Sequence, residues 1–118
     1  MRGYNKKLGE WGEELASRFL IEKGFDKIDS NWHKQVGEID LIFEKDEEII
    51  FVEVKTRTNC NFGFPEESIT VSKRQKIRKV IELYMMEGDI ELIPRFDVVV
   101  VELKGLQPHF THYESLEL

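Results

Sequence analysis

Two runs of strand-forming residues, Ile39 to Phe43 and Ile49 to Val54, flank a short charged turn around Asp46 and Glu47, and this pattern dictates a β-hairpin. What interrupts the runs constrains the chain further. Asp40 lies in the first run, Glu53 in the second, and Lys55 follows just beyond. Strands otherwise made of Ile, Leu, Val and Phe read as buried. A carboxylate there is costly unless it is paired, bound to a metal or catalytic.

Strand residues of equal parity share a face, which groups Glu38 with Asp40 and Glu53 with Lys55 and Arg57. A turn centred on Asp46-Glu47 sets opposite each other residues whose numbers sum to 93. Asp40 then faces Glu53 and Glu38 faces Lys55, with Cβ atoms about 5 Å apart. Asp-Glu is not a favoured two-residue turn, so this register is an expectation for the structure to test. Two facing carboxylates suit a hard cation such as Mg²⁺ or Mn²⁺. Such a cation polarises a phosphodiester and acidifies a bound water, and a nearby lysine orients or deprotonates that water. The competing reading is a structural ion cluster in which Lys55 pairs with Glu38 or Glu53. Asp89, Glu102 and Lys104 repeat the same spacing. Asp89 follows a helix-ending Gly88, Pro94 breaks the interval, and no hairpin joins the residues, so that copy is set aside.

From Lys6 to Lys23 the apolar stripe Leu8, Trp11, Leu15 and Phe19 predicts a helix ended by Gly24. Gly9, Gly12 and Ala16 flank the stripe and permit close approach to a sheet, which carries Glu13 to the edge of the contact. A short, irregular strand is expected over Phe25 to Trp32, a turn over His33 to Gly37 and a loop over Asn59 to Glu67. A second helix should start near Thr70 or Ser72 and run to about Glu87, with Ile77, Val80, Ile81 and Tyr84 inward. Strands over Phe96 to Leu103 and His109 to Glu114 complete the order α-β-β-β-α-β-β, an α/β fold around a mixed sheet.

A chain of 118 residues is read as one domain spanning 1–118, burying roughly two-thirds of its unfolded surface. No apolar run is long enough for a membrane span and no signal-peptide core follows Met1, so a cytoplasmic protein with no membrane partner is expected. The lone Cys60 excludes an internal disulfide and cysteine zinc clusters, and is read as an idle thiol. A net charge of -6 argues against nucleic acid as a partner, since phosphate binding usually wants a basic surface. The charge is uneven, however. Lys73, Arg74, Lys76, Arg78 and Lys79 crowd the first turns of the second helix, where backbone N–H groups also favour phosphate. Lys73, Arg74 and Lys76, with Arg57 on the face of Lys55, are the expected nucleic-acid contacts. Asp97 is read as a strand-end partner of Arg95. His33, His109 and His112 are too scattered for a ligand set and are read as surface residues. Trp11, Phe19 and Tyr84 belong to the core, and Trp32 and Phe62 to packing.

Four motifs occur in order: Gly9-x-x-Gly12-Glu13-x-x-Ala16, Gly37-Glu38-Ile39-Asp40-Leu41-Ile42, Phe51-Val52-Glu53-Val54-Lys55-Thr56-Arg57 and Arg95-Phe96-Asp97-Val98-Val99. Over about Gly9 to Val101 the chain resembles the bacterial YraN-type (UPF0102) proteins. These are placed in the PD-(D/E)xK nuclease-like superfold, near the archaeal Holliday-junction resolvases. The resemblance implies a restriction-endonuclease-like mixed sheet flanked by helices. It matches Asp40, Glu53 and Lys55 to the superfold's acidic-acidic-lysine core, and Glu13 to the resolvases' helix-borne glutamate; Ile39 stands where the superfold's name has proline.

The expectation is a Mg²⁺- or Mn²⁺-dependent nuclease cutting DNA rather than RNA, on branched or flap substrates. Asp40 and Glu53 are the metal ligands, Lys55 and Glu13 the catalytic pair, and Glu38 supports the ligands from behind. A homodimer would suit a four-way junction, which needs two sites. The alternative is a nucleic-acid-binding module of the same fold with negligible catalysis.

Overall fold

A computed structural model of the protein describes residues 2–58 and 69–118, with side chains from Lys6 onward. The chain forms α1 (Arg2–Glu22), β1 (Asp26–Lys34), β2 (Gly37–Lys45), β3 (Glu48–Arg57), α2 (Val71–Glu87), β4 (Ile93–Lys104) and β5 (Gln107–Tyr113). The element order is the expected one, and the fold is α/β. The strands lie side by side in sequence order, β1-β2-β3-β4-β5. All neighbours pair antiparallel except β3 with β4, which are parallel. A parallel pair cannot be joined by a tight turn, and here the chain passes through α2 between the two strands.

The helices cover opposite faces of the sheet. Ala16 and Leu20 of α1 pack with Leu41, Phe43, Ile50, Val52, Val99 and Val101. Ile77, Val80 and Ile81 of α2 pack with Ile42, Ile49, Phe51, Phe96, Val98 and Val100. Central strands buried on both sides lose the polar-apolar alternation of an exposed sheet, and this explains the unbroken Val98 to Val101 run. Each side chain so buried contributes roughly 1.5–3 kcal/mol by leaving water. Close approach of α1 requires Gly12, because a Cβ there would lie 1.9 Å from Thr56 Oγ1. Thr70 caps α2 by accepting the Lys73 backbone N–H at 3.1 Å, and Gly88 ends it.

The β2-β3 register follows the expected sum, from Leu41 opposite Val52 to Lys45 opposite Glu48. Asp46 and Glu47 close it with φ of 51° and 62°, both left-handed as in the hairpin turn of type I′. Strand β1 is longer than the short strand expected, running to Lys34 beyond a register shift between Lys27 and Asp29. The readings of Cys60 and Phe62, with the whole of the expected loop, lie outside the described residues.

Candidate metal centre

Regular alternation in β2 breaks at Asp40. Ile39 packs on the α2 side of the sheet, whereas Leu41, two residues on, packs on the α1 side. Residues two apart in a strand normally share a face, so the strand changes face between them. Its neighbour does the same. Trp32, opposite Ile39, packs on the α2 side against Tyr84, while Ser30, opposite Leu41, lines a groove beside α1. Asn31 falls between those pairs with φ of 51°, a left-handed conformation that asparagine tolerates better than most residues.

This break corrects the expected pairing of Asp40 with Glu53 and of Glu38 with Lys55. The β2-β3 ladder stops at Leu41 and Val52, one pair short of Asp40. Asp40 Oδ2 instead accepts the Val54 backbone N–H at 2.8 Å. Asp40 and Glu53 line one cavity of about 30 Å³ with Glu38, Ile39, Ile77 and Phe96, room for about one water-sized occupant. Burial drives the Asp40 carboxyl up to about 6, against the lowering effect of the Val54 N–H and with the help of Glu13, Glu53 and Glu38.

Glu53 faces two lysines. Its Oε1 lies 2.9 Å from Lys73 Nζ, and its Oε2 is 4.0 Å from Lys55 Nζ, beyond hydrogen-bond range. Among the described residues, Oε2 is buried without a hydrogen-bond partner. Burial and a hydrogen bond with Lys73 pull the Lys55 ammonium below its usual range, while Glu53 opposes them. Burial alone would lower Lys73 too, but hydrogen bonds with Glu53 and Lys55 carry it above.

Glu13 stands one step away. It lines a groove of about 380 Å³ on the α1 side with Glu10, Ser17, Lys27 and Asn31, apart from the Asp40-Glu53 cavity. Burial raises its carboxyl against a hydrogen bond from Asn31. Glu38 is exposed at the mouth of the small cavity, and its charge acts on both Glu13 and Asp40. Asp40, where the strand changes face, senses carboxylates on both sides of the sheet. Arg57 ends β3 half-buried, Arg74 is half-buried on α2, and Lys76 is fully exposed.

The residues fit a hard divalent cation. Asp40 and Glu53 offer oxygen alone, which suits Mg²⁺ or Mn²⁺ with water completing the shell. The unpartnered Oε2 is the atom a ligand would leave spare, and a cation would offset the cost of charging Asp40.

Among the described residues, the one group of three ligand types drawn within 4.8 Å lies elsewhere, at Asp97, His112 and Glu114. Such a group could hold a metal ion, but its atoms already have partners. Asp97 is fully buried and accepts from Arg95 Nε at 2.9 Å, from the second Arg95 nitrogen at 2.8 Å and from Ser115 N at 3.0 Å. His112 Nε2 lies 2.7 Å from the same carboxylate, and Lys23 Nζ lies 2.7 Å from His112 Nδ1. Since lysine only donates, Nδ1 accepts and Nε2 carries the proton given to Asp97. Arg95 also binds Glu48 and Glu114 at 3.1 Å each. The expected Arg95-Asp97 pair is present. The role of His112, taken as a surface residue, is corrected: its side chain is only 4% exposed. An aspartate among valines was the available signal.

Comparison with known proteins finds relatives that match most of the chain. The family described as "Uncharacterised protein family UPF0102" matches residues 12–101. A UPF0102 protein of Syntrophomonas wolfei is 41% identical over 110 residues, covering 92% of this chain and 95% of that protein. One from Clostridioides difficile is 43% identical over 100 residues, covering 84% and 88%. One from Caldanaerobacter subterraneus is 42% identical over 105 residues, covering 87% and 86%. On a match across most of its length, the chain belongs to the UPF0102 family.

Proposed function

We propose that this chain is a nuclease-like domain that hydrolyses phosphodiester bonds in DNA, on branched or flap substrates, with Mg²⁺ or Mn²⁺. The observation that carries the reading is the buried, unpartnered Oε2 of Glu53 beside the charge-crowded Asp40. Bound there, the cation would polarise the phosphodiester and acidify a water. Asp40 and Glu53 hold it. Lys55 takes a proton from the attacking water as the new P–O bond forms and the bond to the leaving sugar oxygen breaks, that oxygen taking its proton from solvent. Glu13, in the neighbouring groove on the α1 side, acts on the centre through its charge on Asp40, as Glu38 does from the cavity itself. Arg57, Lys73, Arg74 and Lys76 hold flanking phosphates, so recognition rests on shape and backbone charge rather than base edges. A cytoplasmic location and a two-fold dimer suit this role. No helix among the described residues is long and apolar enough to cross a membrane.

The test is Mn²⁺ calorimetry on the wild type, Asp40→Asn and Glu53→Gln, followed by cleavage of a branched-DNA panel. Stoichiometric binding lost in both variants, with cleavage down by roughly 10²-fold or more, is expected. A folded wild type that binds no Mn²⁺, even with DNA present, overturns the reading. A second reading, a binding module of the same fold, is favoured by the lysine already seated on Glu53. It predicts salt-dependent DNA binding without cleavage.

A further inference from the structure

Lys73 belongs to a basic run, yet it does not point its charge at solvent alone. Its ammonium reaches from the first turn of α2 to Glu53 Oε1 at 2.9 Å, with the side chain 35% exposed. That is a shorter contact than Lys55 makes with the other oxygen of the same carboxylate, at 4.0 Å. Seated this way, Lys73 supplies the positive charge that a divalent cation would supply. A divalent ion on Glu53 would lie close to both ammoniums and compete with Lys73 for the same carboxylate, a crowding that like charges at these distances resist. One ammonium must leave. Lys55 is rooted on a central strand, whereas Lys73 sits at a helix end with its side chain 35% exposed against 27% for Lys55. A phosphate of a bound nucleic acid is the anion waiting outside.

We propose that Lys73 is a tethered counter-ion of the centre: it holds Glu53 while no divalent cation is bound, yields that carboxylate when one arrives, and turns to a nucleic-acid phosphate. The proposal rests on the metal-centre reading and adds to it a coupling between the two ligands. Metal binding frees Lys73 for phosphate, and phosphate removes Lys73 from the path of the metal. By linkage, each ligand tightens the other by the same factor.

The experiment is a binding cycle on the wild type, Lys73→Met and Lys73→Gln, the second keeping a polar side chain should the first fold poorly. Mn²⁺ is titrated by calorimetry on the protein alone, and affinity for a branched DNA is measured with and without Ca²⁺. Both variants should bind Mn²⁺ tighter than the wild type, on the order of fivefold. The factor by which Ca²⁺ improves DNA binding should fall by a similar amount, because the variants have no lysine to release. Equal or weaker Mn²⁺ binding in the variants overturns the proposal. If Asp40→Asn abolishes Mn²⁺ binding while the Lys73 variants match the wild type, the metal centre stands and the counter-ion role falls. If no form binds Mn²⁺, both fall together.

Discussion

Asp97 and Asp40 each interrupt an apolar strand of the same sheet, and their surroundings treat them in opposite ways. Around Asp97 the hydrogen-bond partners are all donors: two of the three side-chain nitrogens of Arg95, the ring of His112 and the Ser115 backbone. Around Asp40 one backbone N–H is opposed by burial and by three carboxylates. Burial raises both carboxyls; at Asp97 the hydrogen bonds from His112 and Arg95 outweigh it, so that group ends below its usual range. A satisfied buried charge belongs to the fold, and an unsatisfied one waits for something. The acid that any ligand-spacing search would choose first, with histidine and glutamate at hand, is therefore the structural one. The acid with no such company is the candidate for chemistry.

The largest effect should come from removing the satisfied charge. Asp97→Asn leaves a buried guanidinium short of its main partner and should cost about 3 kcal/mol, read from urea unfolding at neutral pH. A loss below about 1 kcal/mol would erase the contrast between the two sites.

The pH dependence sharpens it, because the two acids have opposite signs. The folded Asp97 carboxyl lies below the ordinary 3.8, so its stabilisation is full above that value and lost as the pH falls through the folded pKa. The folded Asp40 carboxyl lies near 6, so the benefit of its neutral form is full below 3.8 and lost as the pH rises through about 6. Asp40→Asn should accordingly match the wild type near pH 4 and exceed it at pH 7, by no more than about 1 kcal/mol given its partial exposure. Unfolding curves at the two pH values decide this, and parallel shifts in both variants would contradict it. Smallest is Glu114→Gln. Glu114 is one of three carboxylates on Arg95 and is 54% exposed, so its loss should stay under about 1 kcal/mol in the same assay.

Much of this was legible in the residues. The turn at Asp46-Glu47 set the hairpin register, since every pair from Leu41–Val52 to Lys45–Glu48 follows from its centre. The small flank of α1 marked the close approach that Gly12 makes to Thr56. The face change at Asp40 was hidden, because Ile39, Asp40 and Leu41 read as ordinary alternation and only the left-handed Asn31 across from them breaks it. The Asp97 network escaped because His112 stands diagonally across the β4-β5 pairing, which no turn signal announced as clearly. Lys73 was visible as one cation in a basic run; its contact with Glu53 depends on how α2 lies over β3, which is set by tertiary packing.

The turn of backbone at Asn31 and Asp40 works as a phase slip in the two-beat rhythm of the sheet. An inserted residue usually produces such a slip and announces itself by a change in length; here conformation alone produces it, and the chain length is untouched. Straightening β1 with a β-branched residue at Asn31 would restore the beat. It would also turn Trp32 and Ile39 away from α2, bring Glu38 inward and carry Asp40 off the Val54 amide. The geometry of the centre thus depends on a neighbouring strand being out of step with itself at one position.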